Sequence, residues 1–196
     1  MKKTVFFLLT VFLFCNFIVK SQNQDFKWVA GISGTYTYYG NVSANVIKDK
    51  NSFQIPKFNV ARYISKGITL DGSIILSTIN GIEGFFTNSF HYFSVDFTGR
   101  YDFGLSNENL VPYAGFGFGF VGAPSTVKTA KTSISLNAVA GGTFWFSSNW
   151  GLNAQFVFKR LRHSAIKMLT NTQLSFGLVY SFEKRVLNYR IWDKKH

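Results

Sequence analysis

Asp96, Arg100 and Asp102 fall on even positions of one segment. On an extended chain even spacing puts side chains on one face, here about 13 Å apart for the first pair and about 7 Å for the second from the strand rise. Two acids around a base on a shared face have two uses. They line a gated path for a charged solute, or they pair with neighbours into a network that rigidifies an interior. Lys27, Asp71 and Lys159 occupy the equivalent polar positions of other segments, so the set is three acids and three bases, a balance suited to pairing.

Other constellations carry weaker chemistry. His163-Ser164, with His91 and Glu83 elsewhere, supplies the residue types of a serine hydrolase. Adjacent His and Ser point to opposite faces of a strand, which argues against the pair, and no catalytic residue is assigned. Three dispersed histidines and a single cysteine, Cys15, show no metal-ligand spacing. Gly115, Gly117 and Gly119 mimic a phosphate loop, yet no helix follows to receive a phosphate. They suit a strand that bends or makes room for bulky interior neighbours. Neither a metal nor a cofactor is implied. Arg160, Arg162 and Lys167 form a basic group suited to phosphate contacts.

The elements that must position these residues are strands. Trp28, Ala30, Ile32, Gly34, Tyr36 and Tyr38 alternate with Ser33, Thr35 and Thr37 in a period of two, beginning beside Lys27. The same alternation recurs over Ile68–Leu76, Phe93–Phe103, Ala114–Phe120, Ile134–Phe144, Leu152–Lys159 and Gln173–Phe182. A segment near Phe53 to Ile64 is less regular, because Pro56 and Arg62 blur its faces. The count is eight strands. Connections near 41 to 51, 79 to 89, 122 to 132 and 160 to 170 are long, and those near 65 to 67, 104 to 110 and 147 to 149 are shorter. Long and short connections in alternation are the rhythm of an outer-membrane barrel with short periplasmic turns.

The N-terminus agrees with export. Lys2 and Lys3 precede an apolar run from Val5 to Val19, too short to span a bilayer and of the length of a signal-peptide core. Residues 1–21 are read as a signal peptide cleaved before Gln22. Phe14 before Cys15 does not fit a lipidation site, which needs a small residue there. The mature chain is about 175 residues, has no thiol and carries +9. Charged residues are only 15% of the whole chain and aromatics 18%, with 23 Phe, which excludes disorder. The excess of bases could suggest nucleic acid, but an exported chain does not meet it.

Aromatic placement supplies a separate test, since amphipathic rings settle at bilayer interfaces. With the first strand starting in the periplasm, Trp28, Tyr101, Phe103, Tyr113, Phe144, Phe146, Trp150, Tyr180 and Phe182 gather at the periplasmic rim. Tyr36, Tyr38, Phe90 and Phe93 gather at the outer rim. A soluble lipocalin-type barrel would turn its apolar face inward and expose Lys and Glu. Here the second face is mostly Ser, Thr, Gly, Asn and Gln, so the apolar face is read as lipid-facing. The fold class is therefore all-β, an eight-stranded antiparallel up-and-down transmembrane barrel with a filled polar lumen, over residues 22–182. Residues 183–196 form a basic periplasmic tail of net charge +3.

The run Val111-Pro112-Tyr113-Ala114-Gly115-Phe116-Gly117-Phe118-Gly119 and the run from Gly141 through Trp150 to Gln155 resemble the small outer-membrane barrels of Bacteroidetes, themselves similar to the OmpA transmembrane domain. The resemblance covers about residues 26 to 182. It implies an eight-stranded outer-membrane barrel and no particular activity. OmpA-type proteins often continue into a peptidoglycan-binding domain, whereas here Phe182 is followed by fourteen residues.

Function follows from location. A Gram-negative outer-membrane barrel with a filled lumen has a structural or surface-interaction role, is not an enzyme and is monomeric. Its partners are outer-membrane lipid and lipopolysaccharide, whose phosphates suit Arg160, Arg162 and Lys167 beside Lys48, Lys50, Lys128 and Lys131. A place in an envelope secretion or assembly machine, a narrow solute channel and a lipid-modifying enzyme are the alternatives. The first would bring an envelope protein partner to the basic tail or the outer loops.

Overall fold

The computed structural model is a closed barrel of eight antiparallel strands, each paired with its neighbours in chain order. It describes residues 28–40, 51–76, 93–103, 108–122, 132–162, 170–185 and 187. The strands are β1 (Trp28–Gly40), β2 (Asn51–Ser65), β3 (Ile68–Leu76), β4 (Phe93–Asp102), β5 (Leu110–Gly122), β6 (Thr132–Trp145), β7 (Trp150–Arg162) and β8 (Thr170–Ser181). β1 closes on β8 over Val29↔Ser181 to Gly40↔Thr170. No sheet edge is left between them, which satisfies the backbone as hydrocarbon requires.

Alternation in the sequence becomes two faces. Ile32, Leu70, Phe97, Phe118, Leu136, Phe156 and Leu178 point outward and are exposed, while Thr35, Thr69, Ser94, Asn137, Gln173 and Ser175 are buried within. An apolar exterior around a polar interior inverts a soluble protein and is what a barrel in lipid requires. Small buried apolar clusters lie toward each end of the lumen: Ile75, Val121 and Leu161 toward the long connections, and Val111, Trp145 and Val179 toward the short turns.

The register fixes the geometry. The row Trp28–Arg62–Leu70–Gly99–Phe116–Ala138–Phe158–Thr172 returns to β1 at Tyr38, ten residues beyond its start. With eight strands that stagger tilts each strand by about 40° from the axis. Rows across the sheet therefore climb from the short-turn end toward the other.

β2 explains its own irregular sequence. Ser33 pairs with Lys57 but Thr35 with Gln54, so β2 holds one extra residue, a bulge at Ile55-Pro56 opposite Gly34. Proline, lacking a ladder donor, is confined to such places. Before the bulge Ser52 and Gln54 point inward; after it Lys57, Ala61 and Tyr63 do. β2 then turns into β3 through Lys66 and Gly67, both at positive φ (46° and 86°), the two-residue hairpin whose twist matches its strands.

Candidate functional site

The candidate site is the charged lumen, and β4 supplies its spine. Arg100 sets Nη1 3.1 Å from Asp71 Oδ2 on β3 and Nε 3.2 Å from Asp102 Oδ1 two residues along its own strand. Thr69 donates its hydroxyl to Asp102 Oδ2 at 2.6 Å. The Arg100 guanidinium carbon lies 4.3 Å from the centre of the Tyr113 ring, and Asn153 donates to the Tyr113 hydroxyl at 3.0 Å. One base is thus held between two acids and an aromatic face.

A second group lies nearer the long connections. Lys159 on β7 places Nζ 2.6 Å from Asp96 Oδ2 and donates to Ser94 Oγ at 3.3 Å. Asn137 on β6 donates to the other Asp96 oxygen at 3.0 Å. Across the lumen Lys57 donates to Gln155 Oε1 and, at 3.3 Å, to Ser175 Oγ, which is bonded to Thr35 at 2.9 Å. Lys57, Arg100 and Lys159 balance Asp71, Asp96 and Asp102, all buried. Buried charge is tolerated when paired or hydrogen-bonded: Arg100 and Lys159 are in ion pairs that link β3, β4 and β7, and Lys57 is hydrogen-bonded from β2 to Gln155 on β7 and Ser175 on β8.

A tail residue completes the short-turn end. Arg185 is buried with its guanidinium carbon 4.5 Å from the Trp145 ring centre, and its backbone N–H donates to Ser148 O at 2.8 Å. Burial draws this guanidinium below arginine's ordinary range, to about 10, and Asp102 pulls it back upward. It stays charged at neutral pH. A cavity of about 20 Å³ between Arg100, Asp102, Asn153 and Trp145 has room for about one water.

What the arrangement does chemically is hold charge still, each carboxylate having a base within ion-pair distance. Among the described residues no group of His, Cys, Asp and Glu side chains is arranged to hold a metal ion.

The family described as opacity family porin protein matches residues 25–182, the whole barrel. The chain belongs to the opacity porin family. It is an outer-membrane β-barrel protein. This opacity-family barrel is similar in fold to the N-terminal β-barrel domain of Pseudomonas aeruginosa OprF, at TM-score 0.57 and 13% identity over 79% of this chain and 97% of that one. Neisserial surface protein A, NspA, gives 0.58 and 15% over 79% and 97%. The outer membrane protein OprG of Pseudomonas aeruginosa gives 0.53 and 11% over 84% and 99%. No curated protein sequence matches it. None of these three likenesses bears on a Bacteroidetes origin.

Residues singled out from the sequence of the opacity-family barrel fall as follows. Asp71, Asp96, Arg100, Asp102 and Lys159 come together in the lumen; Lys27 lies outside the described residues. Trp28, Phe103, Phe144, Trp150 and Phe182 are exposed near the short-turn end, with Tyr101, Phe146 and Tyr180 half-buried beside them. Trp150 and Tyr180 meet edge to face at 4.9 Å, and Tyr101 and Phe103 at 5.1 Å. Tyr113 does not belong to this belt: its side chain turns inward, 3% exposed, under Arg100. Its position shares parity with Val111, not with the outward Leu110 and Phe116. Arg160 is exposed on the outer face of β7, Arg162 ends that strand, and Lys167 lies outside the described residues. So do Glu83, His91, His163 and Ser164, together with Phe90 and the loop bases Lys48, Lys50, Lys128 and Lys131.

Two buried bases escape a reading of the sequence. Lys57 sits just beyond the bulge, where parity inverts; alternation of Phe58, Val60 and Ile64 outward against Lys57, Ala61 and Tyr63 inward would have found it. Arg185 follows the last strand and carries no periodic signal.

Proposed function

We propose that this opacity-family protein is a closed, monomeric outer-membrane barrel whose work is done at its surface, with neither an open pore nor a catalytic centre. The observation that carries this reading is the lumen. Asp96–Lys159 reaches from β4 to β7 and Asp71–Arg100–Asp102 joins β3 to β4 inside it as ion pairs, and Trp145 with Arg185 packs at its short-turn end. A solute would have to part buried charge pairs, each of which costs several kcal/mol to break (about 3–5).

The envelope is that of a Gram-negative cell, and the short turns and both termini face the periplasm. Residues 1–21 are the export signal and 183–196 a basic tail whose first residues fold back on the barrel floor. The long connections then face outward and carry the bases. Arg160, Arg162 and Lys167 meet lipopolysaccharide phosphates at that rim, a charge-assisted contact that salt weakens. Nucleic acid is no partner there.

Two measurements test the reading. Reconstituted in planar bilayers, the protein is expected to give no unitary conductance at neutral pH; stable single-channel steps would overturn the closed lumen. Vesicles carrying the protein are expected to retain lipopolysaccharide in a salt-sensitive way that the triple variant Arg160→Ala, Arg162→Ala, Lys167→Ala weakens. Retention unchanged by those substitutions would remove the surface assignment while leaving the barrel intact.

A further inference from the structure

The outward face of the barrel is not uniform. Across β1 to β5 it is dented by a groove of about 450 Å³, within the roughly 300–1,000 Å³ of small-molecule sites. Its walls are Val60, Leu70, Phe97, Phe116 and Phe118, and its floor is glycine at 72 and 99. Phe97 and Phe118 meet at 5.7 Å along one side.

These two glycines differ from those that point inward. A Cβ at Gly115 or Gly117 would overlap the neighbouring strand's backbone, so no larger residue fits. A Cβ at Gly72 or Gly99 would meet nothing nearer than 3.9 Å. Packing does not require glycine there, and glycine inside a strand weakens it. What the absent side chains create is the groove.

One end of the groove is cationic. Arg62 of β2 points outward with its guanidinium carbon 5.0 Å from the Trp28 ring centre, and both line the groove. Among the described side chains of the strands, the outward face carries charge only at Arg62 and Arg160. A guanidinium on a hydrocarbon-facing surface reaches for the headgroup layer and a counter-charge. Arg62 lies four residues before Lys66 of the Lys66-Gly67 turn, beside Trp28 of the aromatic belt. From there the row Arg62–Leu70–Gly99–Phe116 climbs away from the belt by about 10 Å, from the strand spacing and the tilt.

We infer that this groove is a binding site for one phospholipid of the periplasmic leaflet, its phosphodiester on Arg62 and one acyl chain lying over Gly72 and Gly99 between Leu70 and the Phe97–Phe118 wall. A charged end in the headgroup layer joined to an apolar trough rising into hydrocarbon matches an anionic lipid in both charge and direction. Trp28 holds the guanidinium by its ring face and leaves its edge donors for phosphate oxygens. The site rests on the assignment of the short-turn end to the periplasm.

Native mass spectrometry of the full mature barrel in mild detergent, titrated with dioleoylphosphatidylglycerol, tests the site. The wild type retains one phosphatidylglycerol per chain and holds dioleoylglycerol, which lacks the phosphate, at least about tenfold more weakly. Arg62→Gln weakens phosphatidylglycerol by about tenfold and leaves dioleoylglycerol unchanged. Gly72→Leu with Gly99→Leu fills the trough and abolishes retention of both, while Leu152→Ala, on the outward face of β7, changes neither. Equal retention of the two lipids by the wild type, or of phosphatidylglycerol by wild type and Arg62→Gln, overturns the site. So does a peptide, rather than phospholipid, co-purifying in the trough from native membranes. Heat-modifiable migration on gels reports the fold of each variant, and Arg62→Gln decides the matter if the leucine variant does not fold. Failure of the wild type to partition into vesicles at all would speak instead against the membrane barrel.

Discussion

Gly119 of β5 faces Asp96 of β4 across the ladder, and the Asp96 carboxylate occupies the space that a side chain at 119 would need. Lying flat over β5, that carboxylate reaches Asn137 on β6 and Lys159 on β7. Tyr113 does the same over Gly141, where a Cβ would come 2.7 Å from its ring, and Asn59 over Gly31. An eight-stranded barrel is too narrow for long side chains to meet at its axis, so they cross their neighbours, and glycine opens the way. This is the physical role of Gly119 in β5, whereas at Gly115 and Gly117 a Cβ would meet the backbone of β4.

Gly119→Ala should therefore act as a lumen mutation. The added methyl displaces Asp96 from Lys159 and overpacks the interior, at about 1–3 kcal/mol for the packing alone. Gly99→Ala, with open space around its Cβ, should stay within about 0.5 kcal/mol of wild type. Urea unfolding in lipid vesicles compares them; coincident midpoints would show that the glycine at 119 does not serve the carboxylate.

The Asp96–Lys159 pair should behave as one unit. Removing one partner, as in Lys159→Met, leaves a buried charge and costs about 3–5 kcal/mol, whereas Asp96→Leu with Lys159→Met recovers much of the loss. A double-mutant cycle on unfolding free energies reads the coupling. Additivity within about 0.5 kcal/mol would mean that the two side chains do not interact in the folded barrel.

Arg100→Ala is expected to do more, because it leaves Asp71 and Asp102 in one low-dielectric space without the base between them. Arg100→Lys should restore part of the loss, since a single ammonium does not fork toward two carboxylates. The temperature at which the folded, fast-migrating form disappears on gels ranks the three proteins. Unchanged migration of Arg100→Ala would count against a rigidifying network.

Much of this was legible in the residues. Phe93 to Asp102 alternates without a break, so its charges take the inner face with no further information, and the eight-strand barrel follows from seven such runs and one irregular one. Where residue type and strand position disagree, position decides. Tyr113 is aromatic and near a rim, yet its parity with Val111 sends it inward. Lys57 is charged in a segment whose faces exchange at Pro56, so a single parity misplaces half of β2. The Lys66-Gly67 turn, by contrast, is local chemistry, and its place between Ile64 and Ile68 was readable.

Arg185 shows where sequence reasoning ends. A basic tail after the final strand reads as solvated, and no local pattern distinguishes Arg185 from Lys184, which is exposed. The difference is made by the barrel floor, where Trp145 offers a ring face, Ser148 a carbonyl, and Val111 and Val179 an apolar patch for Leu187. If this docking holds the tail, the amides of 183–187 should exchange with deuterium more slowly than those of a free peptide, and Arg185→Ala should bring them to the free rate. Losing a cation–π contact and its ordered backbone bond amounts to about 1–2 kcal/mol, a slowing of roughly five- to thirtyfold. Arg185→Lys should keep part of the protection, because an ammonium still sits on the Trp145 face but fills less of the mouth. Free-peptide exchange in the wild type would detach the tail from the barrel without touching the lumen network above it.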